Sequence, residues 1–443
     1  MYDDQYNNII NLLEKIKANN IDFNIFFKKV NEELATIKNE DTTDNIIITI
    51  LESNYEIVCS TGFIRELKKA YPQSNIILVL NKTIQSPLLM NNPNISDIIY
   101  VQLETNNLLN LIYSCVDIGK QFFWDKNISK AFILSWPSSI AALFFNWLIN
   151  AKERIGFGES IVSIYDEFSE DISEKDNNKE NIFAEEKNIE NNNNKEENND
   201  NEDNSLARKY QFDKLLTNLI VHPKELTSDL LRKYYILESL NIKVEDKSLE
   251  LFINKHENNR KIICVDLSHS APNWVFSIKK LTQFLSQIID DDTYIMYKSN
   301  DPVNERYFQL LLTTNIYSNY EKLIDKDKLI PYDINLMQNI ILYVGNNTEN
   351  MHIASAYNKP IIAFFAEAED KELNGLLSIY KRLRPYVWLD NPPAKILRPE
   401  YAIDNCVIHD NIGGCTMFYP HCINEITVEQ VKEAFDELFP NGI

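Results

Sequence analysis

The stretch ILYVGNNTENMHIASAYNKPIIAFF, residues 341–365, decides the fold of the chain. The apolar run 341–344 predicts a buried strand, and the polar residues 345–350 predict a short loop. Apolar residues within 351–356 have helical spacing, and the run 360–365 predicts a second strand. Strand, loop, helix and strand in this order form a parallel βαβ unit.

This unit also predicts where a ligand would bind. In open α/β sheets, ligands sit at the carboxyl ends of strands, where loop amides and helix N-termini face outward. Such an end favours anions, phosphates above all. The stretch therefore predicts a phosphate-bearing ligand held by the loop 345–352. A plain α/β turn without a ligand is the alternative that spacing leaves open.

Length and charge narrow the classes of protein that fit. The 443 residues are enough for two ordinary domains and an appendage, and the hydrophobic fraction of 44% is close to that of globular proteins. The 65 acidic and 44 basic side chains give a formal charge of −21. Because no strongly basic stripe is present, nucleic acid is not an expected partner.

The sequence favours a cytoplasmic protein without a membrane span. The first ten residues, MYDDQYNNII, are acidic and polar and do not resemble a signal peptide. The longest apolar stretch, 131–149, is interrupted by serine, proline and asparagine, which predicts a buried strand followed by a buried helix. Cys59, Cys115 and Cys264 are isolated among apolar residues, which indicates reduced core thiols.

Alternating strands and helices predict an α/β fold in both halves of the chain. Before the first strand, residues 1–41 have apolar helical faces and are expected to pack on a domain or on another subunit. The first half has predicted strands at 46–52, 75–80, 97–102, 131–136 and 154–158, with a helix at 62–70. The second half has predicted strands at 261–267, 293–298, 341–345 and 361–365, and helices near 276–289 and 302–314. These patterns predict two Rossmann-like domains facing each other across a cleft.

Three further segments complete the organisation. Residues 166–204 are of low complexity and are expected to be disordered, since they have too few apolar side chains to offset the entropy of ordering. Helical spacing from 206 to 240 predicts a connection to the second half. The pattern at 427–438 predicts a closing helix with Glu429 at a capping position.

A cysteine-rich segment near the C-terminus predicts a metal site. Cys406, His409, Cys415 and Cys422 have the spacing C-x2-H-x5-C-x6-C, and His421 is an alternative fourth ligand. Three thiolates and one imidazole suit a structural zinc, or iron when sulfur dominates. Unpaired thiols or one disulfide are the alternatives, and a reducing cytoplasm disfavours the disulfide.

Four motifs resemble glycosyltransferase family 9, the heptosyltransferase-like enzymes of lipopolysaccharide biosynthesis. Residues 345–365 are similar to the family pattern of Gly-Asn-Asp, Ser or Thr, Gly, Pro, Met, His, an Ala-rich helix and Lys-Pro. YEIVCSTGFIRELKKAYPQSNIILV (55–79) resembles its first βα unit, ERIGFG (153–158) its Arg-Ile-Gly-Phe strand, and 406–431 its C-terminal cysteine segment. The resemblance covers about residues 45–160 and 210–440.

The resemblance implies a GT-B fold and an inverting sugar transfer without a catalytic metal. The implied donor is a nucleotide-sugar such as ADP-heptose, and the acceptor is a glycan or a protein hydroxyl. The expected location is cytoplasmic, at the periphery of the inner membrane. The helical extension at residues 1–41 is the expected surface for homo-oligomer formation. The predicted parts are a helical extension (1–44), an acceptor domain (45–165), a disordered insertion (166–205), a helical connection (206–257), a donor domain (258–405) and a metal loop with closing helix (406–443).

The resemblance also assigns site residues. Glu56 stands at the position of the family's Asp, the presumed general base, although a surface glutamate at a strand–helix turn is the alternative. His352 matches the family's histidine and is expected beside the donor, with a capping or packing role as the alternative. The expected donor-binding residues are Ser268, Trp274, Lys298, Asn346, Asn347, Thr348, Glu349, Met351 and His352.

The chain departs from the family pattern within the donor loop. Asn347 replaces an Asp, and Glu349 replaces a Gly that would let amides approach a phosphate. The family's lysine before Trp274 is absent, and Lys298 is the candidate to supply the missing charge. A catalytically impaired binding or scaffold protein is therefore the second hypothesis, and another GT-B enzyme such as a sugar-nucleotide epimerase is the third.

Overall fold

The computed structural model describes the greater part of the chain. The described residues are 2–18, 20–39, 41–51, 54–83, 87–89, 91–135, 138–158, 212–221, 223, 228–253, 258–268, 276–314, 323–365, 394–398 and 423–443. They form two compact units that divide after Glu245, with Ile57–Gly62 and Ser86–Asn92 grouped with the second unit. The low-complexity segment predicted to be disordered lies outside the described residues.

The first domain is built on a six-stranded parallel sheet. Its strands are β1 (Asn45–Ile50), β2 (Asn75–Asn81), β3 (Asp97–Val101), β4 (Ile128–Ile133), β5 (Glu153–Phe157) and β6 (Asn218–Ile220), in the order β3-β2-β1-β4-β5-β6. Its helices are α1 (Asp3–Lys17), α2 (Phe23–Ala35), α3 (Asn54–Ala70), α4 (Leu108–Phe122), α5 (Ile140–Leu148) and α6 (Asp229–Ser239).

The second domain repeats this architecture. Its strands are β7 (Lys261–Asp266), β8 (Thr293–Lys298), β9 (Leu329–Pro331), β10 (Ile340–Asn346), β11 (Ile361–Phe364) and β12 (Ala394–Leu397), in the order β12-β11-β10-β7-β8-β9. Its helices are α7 (Ile278–Ile288), α8 (Pro302–Thr313), α9 (Glu349–Ala356) and α10 (Val428–Leu438). The prediction of two doubly wound α/β domains is confirmed.

The strand order fixes where each sheet can bind a ligand. In both sheets the order reverses between the first and the fourth strand, β1 and β4 in one and β7 and β10 in the other. Loops leave in opposite directions at such a switch point, and the crevice outside the strands' carboxyl ends is where α/β proteins bind ligands. Glu56 follows β1 and Asn346 ends β10, so two of the predicted site residues lie at these two positions.

The N-terminal extension packs on its own domain. Tyr6 in α1 donates a hydrogen bond to Asp117 Oδ1 in α4 at 2.6 Å. Trp147 in α5 donates to Asn31 Oδ1 in α2 at 2.7 Å, and its ring meets that of Phe26 edge-on. These contacts make α1 and α2 an added layer over α4 and α5, sharing one apolar core with the sheet. Homo-oligomer formation through this extension stays a prediction.

Most predicted elements are present, with four differences of physical interest. The helix predicted at 62–70 begins earlier, at Asn54. The early turns of α3 contain β-branched residues and Gly62, which have low helix propensity, but their burial favours the helix. The segment 206–240 is not one helix, because it contains β6 before α6 begins. Short edge strands such as β6 and β9, three residues each, give too little alternation to predict.

The fourth difference lies at the start of α10. Thr427 is the N-cap, and its side chain accepts from the Gln430 amide while the Gln430 side chain accepts from the Thr427 amide. The capping assignment of Glu429 was therefore wrong, because the reciprocal bond requires the residue three positions after the cap.

The three isolated cysteines are buried and form no disulfide, as predicted. Burial alone raises the pKa of the Cys115 thiol well above its ordinary value. The apolar stretch 131–149 contributes to β4 and α5, also as predicted. Among the described helices, none combines the length and the apolar character that a bilayer span needs.

Candidate functional site

A buried carboxylate organises the carboxyl ends of the second sheet. Asp266 is 1% exposed, and its Oδ2 accepts hydrogen bonds from Thr348 Oγ1 at 2.6 Å and Asn350 Nδ2 at 2.5 Å. Its Oδ1 accepts from the backbone amide of Ser268 at 2.8 Å. Asp266 therefore ties the end of β7 to the loop between β10 and α9. Thr348 stands at the N-cap of α9 but makes no side-chain cap bond, because its hydroxyl is directed to Asp266.

Asn346, at the end of β10, makes further hydrogen bonds to the residues that follow β7. Its Nδ2 donates to the Ser268 carbonyl at 3.0 Å, and its Oδ1 accepts from the Phe276 amide at 3.2 Å. The hydroxyl of buried Tyr343 donates to the Asn346 carbonyl at 2.9 Å and lies 3.0 Å from Thr348 Oγ1. The loop backbone at the switch point is thus fixed by side chains of the sheet itself.

Gly345 permits the close contact between β7 and β10. The two strands are in parallel register with Gly345 opposite Asp266. A Cβ at Gly345 would lie 2.6 Å from the Asp266 carbonyl oxygen and 2.9 Å from its Cβ. Because backbone atoms cannot yield as a flexible side chain does, only glycine fits here.

Three buried polar atoms around this loop have no hydrogen-bond partner within the described part of the chain. They are Ser268 Oγ, Asn350 Oδ1 and the hydroxyl of Tyr332, which follows β9. Buried polar groups in folded proteins are nearly always paired, so such atoms indicate a place for water or for a ligand. The Lys298 ammonium lies 4.7 Å from the centre of the Tyr332 ring and brings a cation to the same edge.

Charged groups of both signs lie at the carboxyl ends of the strands of the second sheet. Burial raises the pKa of Tyr332 well above its ordinary value, and nearby Cys264, Glu349 and Asp266 raise it further. Burial and then Asp266 also raise the pKa of Cys264, whereas Lys298 acts in the opposite direction. The Glu349 carboxylate thus lies close enough to act on the Tyr332 hydroxyl. Among the described residues, three carboxylates (Asp266, Glu349 and Asp333) and the ammonium of Lys298 therefore act on this edge.

Met351 and His352 lie in α9 and are both buried. Met351 is part of the core, with no exposed surface. His352 is 3% exposed, and its Nδ1 is 3.8 Å from the Sγ of Cys59, a residue grouped with the same unit. Asn347 and Glu349, by contrast, are half-buried.

Glu56 lies in the first turn of α3, at the carboxyl end of β1 in the first domain. Its Oε2 accepts a hydrogen bond from Nζ of Lys233 in α6 and forms an ion pair with it. The two side chains are 13% and 1% exposed. A carboxylate at a helix N-terminus is also favoured by the helix dipole.

Several predicted site residues lie outside the described residues: Trp274, Cys406, His409, Cys415 and Cys422. The structural zinc or iron site therefore stays a prediction. Elsewhere in the described part of the chain, no group of three or more His, Cys, Asp or Glu side chains could hold a metal ion.

Sequence reasoning missed Asp266, Tyr332, Asn350 and Lys233. Asp266 ends an apolar run and could have been noticed as a carboxylate at a predicted strand end. The others carry no local signal, because their partners are distant in the chain. Lys233, for example, is 177 residues from Glu56.

Comparisons with known proteins identify the class of fold. No family model and no curated protein sequence matches the chain. Among solved structures, a family 9 glycosyltransferase from Veillonella parvula aligns with a TM-score of 0.59 and 14% identity, covering 91% of this chain and 98% of that one. The ADP-heptose lipopolysaccharide heptosyltransferase II of E. coli gives a TM-score of 0.54 at 14% identity, covering 89% and 98%. E. coli heptosyltransferase WaaC, solved with ADP, gives 0.55 at 8% identity, covering 89% and 99%.

The chain therefore has the fold of the family 9 glycosyltransferases over nearly its whole length. The fold expected from the sequence motifs is confirmed, at an identity that marks a distant relationship. Identities of 8–14% establish the fold and leave the activity to be argued from the site.

Proposed function

We propose that the protein is a glycosyltransferase that transfers a sugar from a nucleotide-sugar donor to a hydroxyl group with inversion. The donor we favour is ADP-linked heptose, and the acceptor is a glycan or a protein side chain. The observation that carries the proposal is a set of buried polar atoms at the switch point of the second sheet that have no partner among the described residues: Ser268 Oγ, Asn350 Oδ1 and Tyr332 OH. The fold shared with heptosyltransferases supports the same assignment.

The donor would bind at the carboxyl ends of β7, β9 and β10. The hydroxyls of Ser268 and Tyr332 can donate hydrogen bonds to phosphate or ribose oxygens, and Asn350 Oδ1 can accept from a ribose hydroxyl. The ammonium of Lys298 and the N-terminus of α9 would stabilise the charge that develops on the leaving phosphate.

Glu56 is the proposed general base. Its carboxylate takes the proton of the acceptor hydroxyl as that oxygen bonds to the anomeric carbon of the sugar. The bond from the anomeric carbon to the phosphate oxygen breaks, and its electron pair leaves with the nucleoside diphosphate. Attack opposite to the leaving group inverts the configuration at the anomeric carbon.

One observation favours a second candidate, a binding or scaffold protein with the same fold. Asp266, Glu349 and Asp333 place three carboxylates at the edge where a diphosphate would bind, and within the described part of the chain Lys298 is the ammonium seen to act there. Like charges weaken binding of a diphosphate. A ligand with fewer negative charges, such as a sugar or a nucleoside, would suit this edge better.

Calorimetric titration with ADP and ADP-heptose tests the donor site. Because Ser268 Oγ and the Tyr332 hydroxyl have no partner among the described residues, removing them should not destabilise the ligand-free protein. We expect Ser268→Ala and Tyr332→Phe each to weaken ADP binding about tenfold, the value of one hydrogen bond, at an unchanged melting temperature. Tyr357→Phe is the matched control, since its buried hydroxyl also has no partner in the part of the chain that the structure describes but lies past the C-terminus of α9.

The outcomes separate the two candidates. Absence of binding to ADP, ADP-heptose and UDP-sugars would exclude the glycosyltransferase. Donor binding without any transfer or hydrolysis would favour the scaffold protein. If transfer is observed, Glu56→Gln should abolish it while leaving ADP affinity within about twofold, and full retained activity would remove Glu56 as the base.

A further inference from the structure

Lys233 is buried in a way that requires an explanation. Its side chain is 1% exposed, and it is the only buried lysine among the described residues. Burial of an ammonium is costly unless an opposite charge compensates for it. Ser228 caps the helix by accepting from the Leu231 amide, which places Lys233 in the second turn of α6.

The compensating charge is Glu56, the proposed base. Lys233 Nζ donates to Glu56 Oε2, joining α6 to the first turn of α3. The other buried cation of α6, Arg232, pairs with Asp229 three residues earlier in the same helix. Lys233 is thus directed to Glu56 rather than to a carboxylate of its own helix.

A second buried carboxylate on α3 shows what a purely structural arrangement looks like. Glu66 is 1% exposed and accepts from Arg65 Nε at 2.9 Å, Lys69 Nζ at 2.8 Å and the Glu245 amide at 3.1 Å. Burial raises its pKa, but the bonds from Lys69, Arg65 and Glu245 outweigh burial and lower it. Glu56, in contrast, is 13% exposed and stands at the carboxyl end of β1.

We propose that Lys233 is a positioning residue for Glu56 in sugar transfer. The ammonium fixes the direction of the carboxylate, so that Glu56 meets the acceptor hydroxyl as a base. A carboxylate has about four acceptor sites, so the bond to Lys233 is compatible with a further bond to the acceptor. This inference rests on the proposed function of Glu56.

Kinetics of the Lys233→Met and Lys233→Arg variants test the inference, with ADP released from ADP-heptose as the signal. We expect kcat to fall at least about tenfold in Lys233→Met, because loss of a well-placed base costs about a hundredfold or more. Lys233→Arg should recover much of kcat, since it keeps the positive charge. The KM for ADP-heptose should stay within about twofold, because Lys233 belongs to the other domain from the donor site.

Two controls separate positioning from folding. Lys69→Met also removes a lysine from a buried carboxylate of α3, and we expect it to leave kcat unchanged. Melting temperatures of Glu56→Gln, Lys233→Met and the double variant test the ion pair itself. The double variant should be more stable than the sum of the single effects predicts, because neither charge is then left alone.

The results distinguish this inference from the proposed function. A folded Lys233→Met protein with wild-type kcat would overturn the positioning role while leaving the glycosyltransferase intact. Equal losses in Lys233→Met and Lys69→Met would also overturn it, since the effect would then reflect general destabilisation. If the wild-type protein turns over no nucleotide-sugar, the proposed function is wrong. A coupling between Glu56 and Lys233 in the melting temperatures would then show that the ion pair has only a structural role.

Discussion

Replacement of Asp266 by alanine should loosen the candidate ligand loop and lower the stability of the second domain. The substitution removes the acceptor for the Asn350 amide, the Ser268 backbone amide and the Thr348 hydroxyl. Thr348 keeps the Tyr343 hydroxyl as a partner, so two buried donors are left unsatisfied. Each unsatisfied donor costs about 1–3 kcal/mol, and water that enters the site offsets part of this cost. We therefore expect the free energy of unfolding to fall by about 3 kcal/mol.

Differential scanning calorimetry measures this loss as a fall of the second domain's transition by about 6–12 °C, given about 2–4 °C per kcal/mol for a domain of this size. Hydrogen exchange should rise in peptides covering residues 340–356. Asp266→Asn should cost only about 1 kcal/mol, because the Asn350 amide can turn its unpartnered Oδ1 toward the new donor.

Asp290→Ala is the matched control for Asp266→Ala. Asp290 also accepts three hydrogen bonds, from Lys261, Thr293 and the Asp292 amide, but its side chain is 45% exposed. Water can replace these bonds, so the loss should be well below that of Asp266→Ala. A melting temperature of Asp266→Ala within about 3 °C of the wild type, with unchanged exchange in 340–356, would refute the role assigned to this carboxylate.

Two further predictions follow from close contacts in each domain. Gly345→Ala should destabilise the second domain by about 1–3 kcal/mol, since its Cβ would lie 2.6 Å from the Asp266 carbonyl oxygen, and a calorimetric transition at the wild-type temperature would contradict this. The hydrogen bond to Asp117, with burial, raises the pKa of Tyr6 to about 12, so the stability it adds is present below pH 10.0 and is lost as pH rises toward 12. Tyr6→Phe should therefore make the fall of melting temperature over this pH range shallower, and an unchanged slope would show that docking of α1 does not depend on this bond.

The sequence alone predicts strands near the centre of each sheet, but it does not predict the short strands at the edges. β2, β7, β8 and β10 are runs of buried apolar residues, and each lies within two residues of its predicted bounds. The edge strands β6 and β9 bury too few residues to give a pattern. The helix propensity of α3 is weak in its first turns, where burial against the fold decides the conformation instead.

In the candidate site, too, the features formed by contiguous residues could be predicted, whereas contacts between residues distant in the chain could not. The loop 345–350 was found because its strand, loop and helix are contiguous. Asp266 is visible in the sequence as a carboxylate at a predicted strand end, but its role is not, because its partners Thr348 and Asn350 are 82 and 84 residues away. Lys233 was missed for the same reason, since a single lysine in a helical segment gives no indication that it is buried.

The structure also separates the residues that the fold requires from those that a ligand can meet. Gly345 is needed for strand contact, Thr348 for the bond to Asp266, and Met351 for the core, so their agreement with the family pattern reflects the fold. The chain departs from that pattern at three positions of this loop: Asn347 and Glu349 are half-buried, whereas Asn350, which stands where the pattern has Pro, is buried and donates to Asp266. The departure at Asn350 therefore helps to hold the loop in place. The other two, at Asn347 and Glu349, bear on which ligand the loop would meet. If the proposed function holds, this distribution favours a changed donor over decay of the site, since one of the departures adds a buried bond to Asp266.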